Sequence, residues 1–128
     1  MNLLSAETSS LLLTAGRILL GGLFVFGGLR HLTLFHPVSE AMRARRVPFA
    51  PLVLLGGSIF QILAGLLLMA GWLVALSALG LALFTLLASL MMHNFWSLEG
   101  DARTAALNGW QSNLAIIGGL LIAAAQAG

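Results

Sequence analysis

Cysteine is absent from the 128 residues, and charge is scarce: only 8% of positions are Asp, Glu, Lys or Arg. Without a thiol, the chain cannot exchange disulfides, ligate an iron–sulfur cluster or offer a thiolate nucleophile. All the basic residues are arginine, and outside one loop they form no basic surface of useful size, so nucleic acid is not an expected partner. Neither an activated nucleophile nor a metal quartet is visible. "GGLFVFGG" is glycine spaced for helix packing rather than a phosphate cradle. The chain is not expected to be an enzyme by itself.

What the sequence does have is hydrocarbon. Hydrophobic residues make up 59% of it and the mean hydropathy is +1.01, whereas a soluble domain is about half apolar and about a quarter charged. The expectation is an all-α, four-transmembrane-helix bundle forming a single domain over residues 1–128. A span needs about 20 mostly apolar residues, and candidates fall at 11–32, 52–71, 72–92 and 111–127. The first lacks a basic leader region and is interrupted by Arg17, so it reads as a retained helix. Gly71 suits the tight turn between the second and third spans, and Trp72 suits a membrane interface.

An even number of spans puts both termini on one side. Arg30, Arg43, Arg45, Arg46 and Arg103 lie in or beside the first and third loops, and only Arg17 lies toward the other side. The positive-inside rule then makes loops 33–51 and 94–110 cytoplasmic, with both termini outside. Short interfacial helices are expected in both loops. In the first, Pro37 opens a helix and Pro48 closes it, with Val38 and Met42 on one side and Glu40 able to pair with Arg43. Its arginines either fix topology or touch anionic lipid. The other loop begins and ends with Trp96 and Trp110, which would hold it along the membrane face. Glu99 and Asp101 read as solvated acids.

Arg17 lies about two turns inside the first helix, where insertion scales put the cost of a charge at roughly 2.5–3.5 kcal/mol. No span contains a carboxylate. Arg17, Gly21, Phe24, Gly28 and His31 share one helical stripe, and Gly57, Gln61 and Gly65 share another. Glycines on both stripes predict close helix packing. Depth counting predicts that Arg17 and Gln61 meet, either as a structural hydrogen bond or as a pocket for a quinone carbonyl or lipid headgroup. A second polar group, Arg30, His31, His93, Asn94, Ser112 and Asn113, is expected at the cytoplasmic ends. There His93 reads first as an interfacial hydrogen-bonder, while His31, His36 and His93 have no helper carboxylates for a metal.

In order along the chain, "GRILLGGLFVFGGLRHL", "VPFAPLVLLGGSIFQILAGLLLMAG", "HNFW" and "NLAIIGGLLI" resemble the DoxX family of small four-helix bacterial membrane proteins. The last two segments are the most specific. The resemblance implies an inner-membrane location and a link to quinone-dependent redox complexes, including thiosulfate:quinone oxidoreductase and terminal quinol oxidase subunits. It matches Arg17 to the arginine opening the first helix motif. His93, Asn94, Phe95 and Trp96 match the histidine-to-tryptophan motif, and Asn113 the asparagine of the last helix. Three positions depart from the pattern. Arg30 and His31 stand where lysine is common, Gln61 where many relatives have glutamate, and Ser112 where lysine often precedes the asparagine. Losing the glutamate removes a proton acceptor.

The first functional expectation is an accessory subunit of a quinone-linked redox system. Arg17 and Gln61 would hydrogen-bond a quinone or lipid headgroup, with Phe24 or Phe60 near the ring. No covalent cofactor is expected. The expected partners are membrane lipids and either other membrane subunits or further copies of this chain. The alternatives are a structural or assembly subunit without chemistry of its own, and an oligomeric small-molecule transporter. The arginine asymmetry makes a direct prediction: alkaline phosphatase fused after Gly128 is active and green fluorescent protein fused there is dark. The reverse pair of readings would invert the assigned orientation.

Overall fold

The computed structural model describes residues 5–127, and every regular element among them is helical. Five α-helices succeed one another: α1 (Ala6–Thr33), α2 (Phe35–Ala44), α3 (Ala50–Ala70), α4 (Val74–Met92) and α5 (Gly100–Gln126). A 3-10 turn, Phe95–Ser97, lies between α4 and α5. Three segments are long and apolar enough to cross a membrane: Ala6–Thr33, Ala50–Ala70 and Val74–Ser97.

Local chemistry sets the helix ends. Ser5 caps α1 by accepting from the Thr8 amide at 3.1 Å, Glu7 sits in the first turn, and Arg30 and His31 sit in the last. Each matches the sign of the helix dipole at its end. At the end of α3, Gly71 adopts a left-handed conformation (φ 79°). The Trp72 amide then reaches back to the Leu67 carbonyl at 2.9 Å and the Gly71 amide to that of Leu68 at 3.3 Å. This is the Schellman closure that glycine enters without Cβ strain. The turn expected at Gly71 is therefore present, and α4 restarts after Leu73.

The long expected loop at 94–110 is not formed. Only residues 93–99 connect α4 to α5, and the short helix expected in this loop is instead continuous with the following span, Gly100–Gln126 being one helix of 27 residues. The segment Ala102, Thr104, Ala105, Ala106, Leu107 contains no proline, and alanine and leucine favour helix strongly enough to carry it past Gly109. The first-loop helix is present as α2, although it begins at Phe35 before Pro37 and ends at Ala44, closed by the Arg46 and Val47 amides rather than by Pro48. Met42 is buried against Ala50 and Leu54, with Val38 packed beside them. Arg43 pairs with Glu40 at 2.9 Å.

The helices pack antiparallel in a ring. Gly21 of α1 faces Gly65 of α3 so closely that a Cβ on Gly65 would stand 2.7 Å from the Gly21 carbonyl oxygen. One on Gly28 would meet the Ser58 carbonyl at 2.9 Å. Between α3 and α4 the fit is reciprocal: the Phe60 ring covers Gly80, the Phe84 ring covers Gly57, and the two ring centroids are 5.9 Å apart. Phe24, Ala64, Leu68, Ala78, Leu81, Leu120 and Ala123 form the central core, drawing on all four long helices. Outward-facing Leu19, Phe26 and Ile122 are exposed by 75%, 66% and 63%, an apolar girdle suited to acyl chains.

Gly21→Ala or Gly65→Ala forces backbone apart and is expected to cost about 1–3 kcal/mol. Gly16 and Gly118 have nothing within 4 Å of an added Cβ. Alanine there leaves stability unchanged or raises it by up to about 1 kcal/mol. Unfolding in mixed micelles followed by circular dichroism distinguishes the two pairs.

Candidate functional site

The polar side chains gather at opposite ends of the bundle. At the end bearing the α3–α4 turn, Arg17 extends toward the start of its own helix and donates from Nη2 to Thr14 Oγ1 at 3.2 Å. An added Cβ on Gly71 would fall on its guanidinium, so the glycine also leaves the space that the arginine occupies. Nε of Arg17 is buried and has no hydrogen-bond partner. Arg17 lines an open cleft of about 550 Å³ whose other walls include Leu13, Gly71, Leu73, Leu76 and Ala123. No side chain caps α4, which begins at Val74 in this same cleft. Val74, Ala75 and Leu76, from its first turn, line the cleft with Arg17. The cleft offers donors and hydrocarbon. It can hold an acceptor oxygen on an apolar body.

The expected contact between Arg17 and Gln61 is not made. With Gly21 set against Gly65, one turn back along α1 brings Arg17 level with Gly71, ten residues and roughly 15 Å along α3 from Gln61. Side chains on a helix lean toward its N-terminus, which carries the guanidinium further from Gln61. Gln61 instead lies against Gly27 and Gly28, and its Oε1 is 3.0 Å from His31 Nδ1. The ring nitrogen is the donor there. The stripe read through Gly57 also divides, because Gly57 faces Phe84 on α4 and Ser58 faces Gly28 on α1. Phe24 is in the core and Phe60 packs on Gly80, so neither ring lines the Arg17 cleft.

At the other end the residues of the "HNFW" segment have separate contacts. The His93 ring lies on Gly109, where a Cβ would stand 2.7 Å from Nδ1. The His93 carbonyl accepts from Trp110 Nε1. Asn94 donates from Nδ2 to Ser97 Oγ at 2.6 Å, and its Oδ1 is buried without a partner. Trp96 is 57% exposed and meets Phe95 edge-on. Phe95 also carries Trp110 edge-on and Arg103 over its face at 5.8 Å. Asn113 donates to Ser89 Oγ at 2.7 Å, and Ser89 donates in turn to the Thr85 carbonyl. Arg30 and Ser112 are exposed. Among the described residues, no three His, Cys, Asp or Glu side chains gather as a metal site.

Several partners are not singled out by the sequence. Thr14 lies three residues from Arg17, and Thr85 and Ser89 lie four apart on one face of α4. That helical spacing is the available signal for the Asn113 contact. Nothing local marks Gly109 as the seat of His93, since the two meet only when α5 folds back on α4.

Described residues whose regular elements are all helical, with three apolar helices of membrane length and an apolar exterior, define a multi-pass integral membrane protein. The family model described as DoxX matches residues 12–94, well over half of the sequence, and the chain belongs to the DoxX family. The match takes in α1 to α4 and stops at Asn94, before Phe95, Trp96 and α5. No curated protein and no solved structure matches the chain.

These contacts predict how the polar residues couple. A double-mutant cycle between His31→Ala and Gln61→Ala should give about 0.6–1.7 kcal/mol, the range measured for interhelical hydrogen bonds in lipid. The cycle between Arg17→Ala and Gln61→Ala should give none. Coupling in the second cycle alone would overturn this register of α1 against α3.

Proposed function

We propose that this DoxX-family chain crosses the bacterial inner membrane four times. Residues 111–127 within α5 supply the fourth crossing, α2 lies in the interface, and the arginine-rich end faces the cytoplasm. Its role in this reading is that of an accessory subunit of a quinone-linked redox system. The ligand is a quinone held by one ring carbonyl in the Arg17 cleft, with its tail along Leu13, Leu73 and Leu76. One observation carries the reading: a guanidinium with a buried, unanswered Nε beside a cleft with apolar walls. A charge at membrane depth is costly, and an unmet donor adds to that cost, so an acceptor entering the cleft is favoured.

The side chains that line the cleft limit what the chain does. Among the described residues no carboxylate or histidine side chain lines it, so these side chains can orient and retain a quinone but offer no group to take or supply its protons. When bound, the quinone supplies two-electron carrier chemistry, and the chain supplies a fixed position for it. Gln61 has no part in this, because it lies against Gly27 and Gly28 and does not line the cleft.

A second reading, an assembly subunit without a ligand, is favoured by two observations. The Gln61 and Asn113 amides are already used to hold neighbouring helices together, and the broad apolar exterior could take a partner helix as well as lipid.

Trp72 adjoins the cleft residues Gly71 and Leu73, which gives the test a local reporter. A short-tailed benzoquinone should quench tryptophan fluorescence saturably, and Trp72→Phe should abolish that component. Arg17→Leu should weaken it about tenfold or more, the value of a hydrogen bond from a charged donor. Saturable quenching that Arg17→Leu leaves unaltered removes the quinone and leaves the assembly role.

A further inference from the structure

The arginine-rich end has a cleft of its own, independent of the one at Arg17. It measures about 350 Å³ and lies between the α2–α3 connection and the end of α4. Its polar lining is Arg45, Arg46 and Asn94, and its apolar lining includes Val47, Leu90 and Met91.

Three features of this cleft go beyond what the fold requires, although Arg45 Nη1 also donates to the Ala41 carbonyl at 3.3 Å. The first is charge. Among the described residues the only ion pair joins Arg43 to Glu40, so neither Arg45 nor Arg46 has a carboxylate within reach. The second is the backbone at Arg46. The Val47 amide bonds back to the Met42 carbonyl at 3.1 Å and the Arg46 amide to that of Arg43 at 2.9 Å. This is a Schellman closure in which Arg46 holds the left-handed position at φ 60°. Glycine fills that position in most helices because a Cβ is strained there, and at the end of α3 this chain does use Gly71. An arginine is therefore kept where the fold alone would favour glycine.

The third feature is Asn94. Ser97 Oγ donates its single hydrogen to the Asn94 carbonyl, so it can only accept from the amide, which fixes Nδ2 toward Ser97. Oδ1 is thereby left as a buried acceptor with no donor.

We infer that this cleft binds the headgroup of an anionic, hydroxyl-bearing phospholipid of the phosphatidylglycerol type. Two guanidiniums without carboxylate partners suit a phosphodiester. The acceptor at Asn94 calls for a donor, and a neutral glycerol hydroxyl meets it where an ammonium would be repelled by the adjacent arginines. Leu90, Met91 and Val47 receive the start of an acyl chain. Basic pockets at the cytoplasmic ends of membrane helices bind lipid headgroups by this chemistry.

The substitution Arg46→Gly separates binding from folding because the two effects have opposite signs. It relieves the backbone, so the protein freed of lipid in detergent should melt higher, by on the order of 4 °C. At the same time it should bind phosphatidylglycerol about fivefold more weakly. Native mass spectrometry and thermal shift with added phosphatidylglycerol, phosphatidylethanolamine or phosphatidylcholine give the readouts. In the unaltered protein, phosphatidylglycerol should be retained most and stabilise most. Asn94→Asp, which places an anion in the cleft, should abolish that preference. Equal retention of the three lipids, or an Arg46→Gly variant with its phosphatidylglycerol preference intact, overturns the assignment. So does soluble glycerol phosphate reproducing the lipid's shift at equal concentration, since the occupant would then be a free phosphate ester.

Discussion

The approach of α1 to α3 at Gly21 and Gly65 governs the placement of Arg17, His31 and Gln61. Two backbones come close enough there that neither position has room for a methyl group. In hydrocarbon no hydrophobic force draws helices together, so dispersion between closely fitted surfaces must do so. A contact of that kind permits one register. Sliding α1 along α3 by a single residue would set the carbonyl of Gly21 against a side chain. The neighbours that α1 offers its polar residues across to α3 are therefore assigned by two glycines that carry no polar side chain of their own.

That register separates the polar groups. His31 is brought to Gln61 and satisfied there, whereas Arg17 is carried to the opposite end and placed over Gly71. A guanidinium paired with the carboxamide would have been a closed structural contact. Placed at the turn, with Thr14 answering only Nη2, it stays open to an acceptor. The same logic runs through the rest of the bundle. Asn113, Ser89 and Thr85 form a chain of donors closed on carbonyls, while Arg46 and the Asn94 oxygen remain open at a cleft that Arg45, bonded to the Ala41 carbonyl, also lines. The open groups line clefts at the two ends, and the closed ones hold helices together.

The two left-handed closures show how chain and cleft are linked. Gly71 ends α3 without strain and, lacking a Cβ, makes room for Arg17. Arg46 ends α2 with strain and brings a charge to a cleft. One turn lends its conformational freedom to a neighbour, and the other gives up stability to position its own side chain.

Composition alone made a lipid-embedded helical protein legible, because a chain this poor in charge has no way to cover itself for water. Periodicity marked Gly21, Phe24 and Gly28 as the buried side of α1, and proline and glycine located α2 and the turn at Gly71. The helical continuity from Gly100 through Trp110 was not legible, since the polar residues that signal a loop also suit a helix whose partners lie elsewhere in the chain. Nor was the partner of Arg17. The sequence determined which groups are polar, how deep each lies in its own helix and which faces are small. Only the tertiary structure decided which polar groups meet, because axial register between two helices is set by their mutual packing, and neither helix encodes it alone.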